Sequence, residues 1–285
     1  MSFFAAVKRT VLISRPLFWP STFFAFLLGV IFSRHAIGYA SVIYACLWAF
    51  PYSLWMCAAN DMADRATDSI NPHKGGASGA KMKSGEEVFM TRLMWGSFFT
   101  IMMPTLFTGN ILLIIASLLA VVIPSIYSSY PIRLKERPPF DSFSNGAFVV
   151  CVFLAGFVFY QPVLFDGLFF QAALGFFFGV AGIHVIAALR DYTPDKKANM
   201  RTIAIAWGQR RSAVFALLLF TLVYISIYRF PLEFRIYGLL GISFSLHLAI
   251  YPSERRSMQY CIILVCGFGL VALYSFIFQS WSSFF

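Results

Sequence analysis

The chain has 285 residues, of which 59% are hydrophobic and only 12% charged, with 34 phenylalanines. So apolar a composition excludes a soluble globular domain and fits a polytopic, all-helical membrane protein. The formal net charge of +10 is gathered in short connections between apolar segments, so no nucleic-acid partner is expected.

Runs of about 20 apolar residues, enough to cross a hydrocarbon core, fall at 13–33, 37–59, 88–108, 110–130, 143–161, 167–189, 211–229, 235–251 and 258–280, which predicts nine transmembrane helices. The first run follows Lys8, Arg9 and Arg15 as a signal peptide would. It is long, lacks a small-residue cleavage site and leads into further spans, so it reads as a retained helix. The second run ends in Asn60-Asp61-Met62-Ala63-Asp64-Arg65-Ala66-Thr67-Asp68, and the sixth ends in Asp191-Tyr192-Thr193-Pro194-Asp195. The longest polar stretches, about 60–87 and 190–211, each begin with one of these clusters, which predicts one structured cap on a single domain, 1–285. Cys46, Cys57, Cys151, Cys261 and Cys266 are scattered through apolar segments without metal-ligand spacing.

Basic residues fix the expected orientation. Lys8, Arg9, Arg65, Lys74, Arg133, Lys135, Lys196, Arg201 and Arg255 share one set of connections, whereas the opposite set holds only Arg34, Arg229 and Arg235. The positive-inside rule then places the N-terminus and both aspartate clusters in the cytoplasm and, with nine spans, the C-terminus outside.

On a helix, Asp61, Asp64 and Asp68 share one face, as do Asp191 and Asp195. Aspartates kept at membrane edges are costly and usually functional. Magnesium prefers one or two carboxylates plus phosphate oxygens, so two facing clusters read as a holder for Mg²⁺ and a lipid diphosphate. Five aspartates and a diphosphate outweigh two such ions, and Arg65, Lys74, Arg133, Lys135, Arg190 and Arg201 are candidates for the missing positive charge. Charge withdrawal from the leaving group would ionise an allylic carbon–oxygen bond, leaving a cation that aromatic faces can shield. Tyr127 and Tyr130, which end the fourth run, are better candidates for that role than most aromatics. His184, seven residues before Asp191, can reach the same site or simply pack; Gly175, Gly179 and Gly182 read as close helix contacts.

Together these residues resemble the UbiA superfamily of intramembrane prenyltransferases. Asn60 to Asp68 fits its first motif, N-D-x-x-D-x-x-x-D, and Asp191 to Asp195 its second, D-x-x-x-D; Tyr127 to Lys135 and Thr202 to Gly208 are similar to two further segments. The likeness covers roughly 15–215. It implies nine helices around a central cavity, a cytoplasmic cap and a lateral opening to membrane lipids. It also implies that Asp61, Asp64, Asp68, Asp191 and Asp195 hold Mg²⁺, that Asn60, Arg65, Lys74, Lys135 and Arg201 contact the diphosphate, and that Tyr127 sits near the reacting carbon. Asn199 departs from the glycine of many relatives.

Within the superfamily, Asn71 to Gly79, Leu134 to Phe143 and the Ser14-Arg15-Pro16 lead-in resemble the lycopene elongase branch. That likeness implies a prenyl diphosphate donor and a very apolar, lipid-soluble acceptor, a carotenoid such as lycopene. The alternatives are an aromatic or quinone-precursor prenyltransferase of the 4-hydroxybenzoate type, a terpene cyclase of the same superfamily, and a cation transporter. The last needs ionisable residues along the membrane depth, where the spans are nearly uncharged.

Overall fold

A computed structural model describes residues 3–65, 81–161 and 163–277, and the regular structure among them is helical. Helix α1 (Phe3–Ile13) is followed by a 3₁₀ turn at Pro16–Phe18 and by α2 (Trp19–Phe32). The axis bends by 48° there. Pro16 lacks an amide hydrogen and bars Arg15 from helical geometry, so Arg15 turns left-handed at φ 51°.

Next come α3 (Tyr39–Ala63), α4 (Glu87–Phe107) and α5 (Ile111–Ser128). After a 3₁₀ turn at Leu134–Glu136 follow α6 (Phe140–Phe157) and α7 (Gly167–Arg190). The side chains of Asn110 and Asp166 cap α5 and α7 by accepting the amides of Leu113 and Phe169 at 3.2 and 3.0 Å. Two short helices, α8 (Tyr192–Lys197) and α9 (Ile203–Trp207), precede α10 (Gln209–Ser226), α11 (Leu232–Ile250) and α12 (Glu254–Ile277).

Each predicted apolar run thus has its helix, with ends shifted by a few residues. Five helices, α3, α5, α6, α7 and α12, are long and apolar enough to cross a membrane, and a sixth crossing follows if the bent α1–α2 pair is one span. The others carry charge in their early turns: Glu87 and Arg92 in α4, Arg210 and Arg211 in α10, Glu233 and Arg235 in α11.

The helices close into a ring, in which α2 packs on α6, α6 on α7, α7 on α10, α10 on α11, α11 on α12 and α12 back on α2. Helices α3 and α5 join the same wall, and α4 lies outside it against α3. Glycines set the tightest crossings. A Cβ on Gly156 of α6 would stand 1.9 Å from the Phe26 carbonyl oxygen of α2, and one on Gly29 would stand 2.1 Å from that of Phe153. Without those side chains the two backbones meet directly. Phe220 of α10, fully buried, is clasped between Gly182 of α7 and Gly241 of α11, where a Cβ would fall 2.8 and 2.1 Å from its ring. Gly175 also makes a close contact, against Ile227, while Gly179 has ordinary room beside Val223.

Gly156→Ala is expected to destabilise the bundle by about 1–3 kcal/mol through overpacking. Gly96→Ala, on the exposed side of α4 with nothing within 4 Å of the new atom, should be neutral or stabilising by up to about 1 kcal/mol. Thermal unfolding of the two variants in detergent checks the contrast.

Candidate functional site

Helix α3 continues past its apolar run, so Asn60 and Asp61 lie on its last turn and Asp64 caps it, its amide donating to the Asn60 carbonyl at 2.9 Å. Asp61 is completely buried and Asp64 nearly so. A buried carboxylate is stable only beside a counter-charge and hydrogen-bond donors. Arg15 supplies them to Asp61, with Nη2 2.6 Å from Oδ1 and 3.3 Å from Asn60 Oδ1. Lys135 is ion-paired with Asp64, and Arg133 Nη2 lies 3.4 Å from it. Asn60 completes the cluster by donating to Asp64 at 2.9 Å and to Ser128 Oγ at 3.2 Å.

Arg15 and Arg133 both occupy the left-handed region, at φ 51° and 44°. That conformation costs a residue with a side chain roughly 1–2 kcal/mol. Arg15 thus meets Asp61, while Arg133 donates to Glu136 at 2.6 Å and reaches Asp64 at 3.4 Å.

The second cluster spans a helix break. Helix α7 stops at Arg190, Asp191 serves as its C-cap, and α8 restarts one residue later, with the Asp195 amide donating to the Asp191 carbonyl at 2.9 Å. Arg190 Nη2 pairs with Asp191 Oδ2 at 2.5 Å. Helix α8 ends in a Schellman motif, the amides of Met200 and Asn199 bonding to the carbonyls of Asp195 and Lys196. Asn199 takes φ 53° there, a conformation that asparagine tolerates and glycine adopts freely. This explains how the departure at Asn199 is accommodated. The motif returns the chain so that Thr202 donates to Asp195 Oδ2 at 3.1 Å.

Burial and the nearby Asp191 charge push the Asp195 carboxyl up to about 7, against the Thr202 hydrogen bond and the charges of Arg190 and Lys135. Burial also holds Lys135 down to about 8, offset by Glu136 and Asp195. Lys135 therefore links the two clusters, paired to Asp64 of one and attracted to Asp195 of the other.

Both clusters open onto a cavity of about 400 Å³ to which every long helix except α4 contributes lining. Arg15, Asn60, Asp64, Lys135, Arg190, Asp191 and Asp195 form its polar mouth, and Leu28, Phe32, Phe148, Val180, Ile183, Ile227, Phe230 and Phe268 are among its apolar walls. Tyr127 and His184 face the cavity, 3.1 Å apart. Tyr130 does not; it is 76% exposed and stacks under Arg133.

Asp61 stands just behind the lining, reached through Arg15. Arg65 is exposed and salt-bridged to Glu87, and Arg201 is exposed, so neither is part of that wall. Asp68 and Lys74 lie outside the described residues. Arg15 was not singled out for the site by its sequence; an arginine before the proline that opens the first apolar run is the signal that marks it. Asp141, wholly buried on α6, also escaped notice. It accepts the Ile203 amide at 2.7 Å and so anchors the loop behind Asp195.

Among the described residues no three acidic, histidine or cysteine side chains converge closely enough to hold a metal by themselves. Carboxylates on two walls of one mouth, with room for phosphate oxygens between them, nevertheless suit Mg²⁺, which takes few protein ligands. Asp195 is a group that an added cation would stabilise.

Residues 2–257 match the model of the UbiA prenyltransferase family. The chain is 25% identical over 231 residues to a lycopene elongase/hydratase of Corynebacterium glutamicum, covering 79% of this chain and 78% of that one. It is 26% identical over 246 residues to one of Halobacterium salinarum, covering 84% and 82%. Among solved structures, that of a UbiA homolog from Archaeoglobus fulgidus bound to GPP and Mg²⁺ superposes with a TM-score of 0.62 at 18% identity, covering 93% and 98%. A digeranylgeranylglyceryl phosphate synthase gives 0.68 at 20%, covering 94% and 96%. These two likenesses concern the fold.

Arg15→Ala removes the guanidinium that pairs with the buried Asp61 carboxylate and should cost up to about 3–5 kcal/mol of stability. Adding Asp61→Asn should restore part of that loss, so the double variant will be less than additive. Unfolding of the wild type, both single variants and the double variant in detergent measures the coupling, and full additivity would contradict the pairing.

Proposed function

The chain belongs to the UbiA prenyltransferase family, and from that premise we propose that it moves a prenyl group from a short allylic diphosphate to a very apolar acceptor, a carotenoid such as lycopene. It is an integral, multi-pass membrane prenyltransferase. The observation that carries the proposal is the meeting of both aspartate motifs at one polar mouth above an apolar, aromatic cavity.

Asp61, Asp64, Asp68, Asp191 and Asp195 would hold Mg²⁺, which when bound withdraws charge from the diphosphate and eases cleavage of the allylic carbon–oxygen bond. Lys135 and Arg15 lie at the mouth, where they can exchange carboxylate partners for phosphate oxygens, and Asn60 joins them by accepting from Arg15 and donating to the Asp64 that pairs with Lys135. Arg65, Lys74 and Arg201 enter the diphosphate assignment from the motifs alone. Tyr127 faces the cavity beside the mouth, where the reacting carbon would lie. The apolar walls exclude water from the cation, and ring faces stabilise it by up to roughly 2 kcal/mol each.

The acceptor assignment draws on the relatives named for lycopene elongation and on the state of the cavity's polar groups. Ser21, Thr22, Tyr127, Asn145 and His184 reach the cavity and each has a protein partner, whereas the buried Ser53 hydroxyl beside them has none. An acceptor without polar atoms leaves those five partnered groups undisturbed. The transporter alternative is disfavoured because the buried charged residues among those described, Asp61, Asp64, Arg133, Lys135 and Asp141, gather at one end of the helices.

In this reading the chain is one domain with nine spans, and the aspartate motifs lie under a cytoplasmic cap. Asp64→Ala and Asp191→Ala should each lower turnover by at least about 100-fold. Purified variants assayed with dimethylallyl diphosphate, saturating Mg²⁺ and either lycopene or 4-hydroxybenzoate test this. Prenylation of 4-hydroxybenzoate alone, or cyclisation of the donor, would reject the carotenoid assignment and keep the diphosphate site.

Lys197 and Arg229 are exposed beyond opposite ends of α10. Lys197→Cys should be labelled by an impermeant thiol reagent only from the cytoplasmic side and Arg229→Cys only from outside. The reverse pattern would invert the orientation.

A further inference from the structure

The cavity wall carries a continuous hydrogen-bond chain that donor ionisation does not require. Tyr127 of α5 and His184 of α7 face the cavity, the phenol oxygen 3.1 Å from His184 Nε2 and the rings edge-on at 6.0 Å. Behind the imidazole, Ser142 Oγ lies 3.1 Å from Nδ1. Ser142 leans in turn on Asp141, its hydroxyl 3.4 Å and its amide 2.8 Å from Oδ1, while Oδ2 accepts the Ile203 amide. One polarity satisfies every member. The Ser142 hydroxyl donates to Asp141 and accepts Nδ1–H, which leaves the Nε2 lone pair to accept the Tyr127 phenol. The chain begins on a carboxylate held behind the wall and ends on the phenol of a tyrosine that lines the cavity.

The chemistry of an apolar acceptor leaves one task unassigned. When an allylic cation adds to the terminal double bond of a polyene, a new carbon–carbon bond forms and a tertiary cation remains beside it. The reaction finishes only when that cation loses a proton from a neighbouring carbon or captures water. We infer that Tyr127, His184, Ser142 and Asp141 form the relay that removes this proton, an inference that rests on the polyene acceptor proposed above.

In that step the carbon–hydrogen bond next to the cation breaks, and its electron pair closes a new carbon–carbon double bond. The proton passes to the Tyr127 oxygen as the phenolic proton moves to His184 Nε2. The imidazolium so formed keeps Nδ1–H on Ser142, with the Asp141 carboxylate one hydroxyl away, and returns the proton to solvent once product has left. No oxidant or further reactant is consumed. Tyr127 and His184 are the catalytic groups; Ser142 and Asp141 are positioning residues that select the tautomer. A fixed base also selects which neighbouring hydrogen is lost, so it determines the alkene formed.

Because ionisation of the donor precedes proton loss, the signature lies in product partition. Purified wild type, His184→Leu and Ser142→Ala are incubated with dimethylallyl diphosphate, Mg²⁺ and lycopene in H₂¹⁸O. Released diphosphate and each alkene isomer or alcohol are then quantified. The ratio of the wild-type alkene to released diphosphate should fall at least about tenfold in His184→Leu and by less in Ser142→Ala, with shifted isomers or ¹⁸O-labelled alcohol making up the difference. A variant whose product and diphosphate fall together at an unchanged ratio would show that the chain only packs, and the relay would be overturned. A wild-type product already carrying ¹⁸O at the cationic carbon would overturn it too, since water capture would then end the reaction. If the wild type prenylates no lycopene, the acceptor assignment fails and the relay falls with it.

Discussion

The structure depends first on neutralising a knot of charge at one end of an otherwise apolar bundle. Arg15, Arg133, Lys135 and Arg190 meet Asp61, Asp64, Asp191 and Asp195, and Arg133 pairs with Glu136 as well. Leaving any one of these buried groups unpaired would cost several kcal/mol, so the chain accepts left-handed backbone at Arg15 and Arg133 to bring their guanidinium groups inward. These pairings also prepare the mouth for its proposed cargo. A diphosphate of about −3 with two divalent cations adds only about one unit of net charge, so ligand binding can proceed by exchange of partners.

Helix packing provides the space beneath that mouth. Where α2 meets α6, and where α10 meets α7 and α11, glycines let the helices close to backbone or ring contact. Larger residues are then free to hold the remaining walls apart, and phenylalanines with aliphatic side chains line what is left. In the proposed reaction, an apolar cavity under a charged mouth would separate two tasks that conflict in water: strong electrostatic pull on a leaving group, and protection of the cation it leaves behind.

The loop between α8 and α9 ties the two regions together. The left-handed turn at Asn199 brings Thr202 onto Asp195 and Ile203 onto Asp141. One oxygen of Asp141 therefore holds the loop that supports the second aspartate motif, and the other holds Ser142 behind His184. Change at Asp141 would reach the mouth and the cavity wall alike, though the residue faces neither.

Much of this was legible in the residues themselves. Apolar runs marked where the long helices lie, five or six of them apolar enough to cross a membrane, and the aspartate clusters stood out because carboxylates are costly at such edges. Their spacing grouped Asp61 with Asp64 and Asp191 with Asp195, and the loop charges assigned both groups to the same membrane edge. Linear spacing could not reveal that α7 breaks at Asp191, or that Arg65 turns outward to Glu87 while Arg15, 46 positions before Asp61, turns inward. Nor could it assemble Tyr127, Ser142 and His184, which come from three helices and carry no common motif. Hydrophobic periodicity and charge cost are local properties and survive in a linear reading. Which cation meets which carboxylate, and which polar side chain finds a partner across the cavity, depends on helix rotation and crossing, and only the packed bundle decides those.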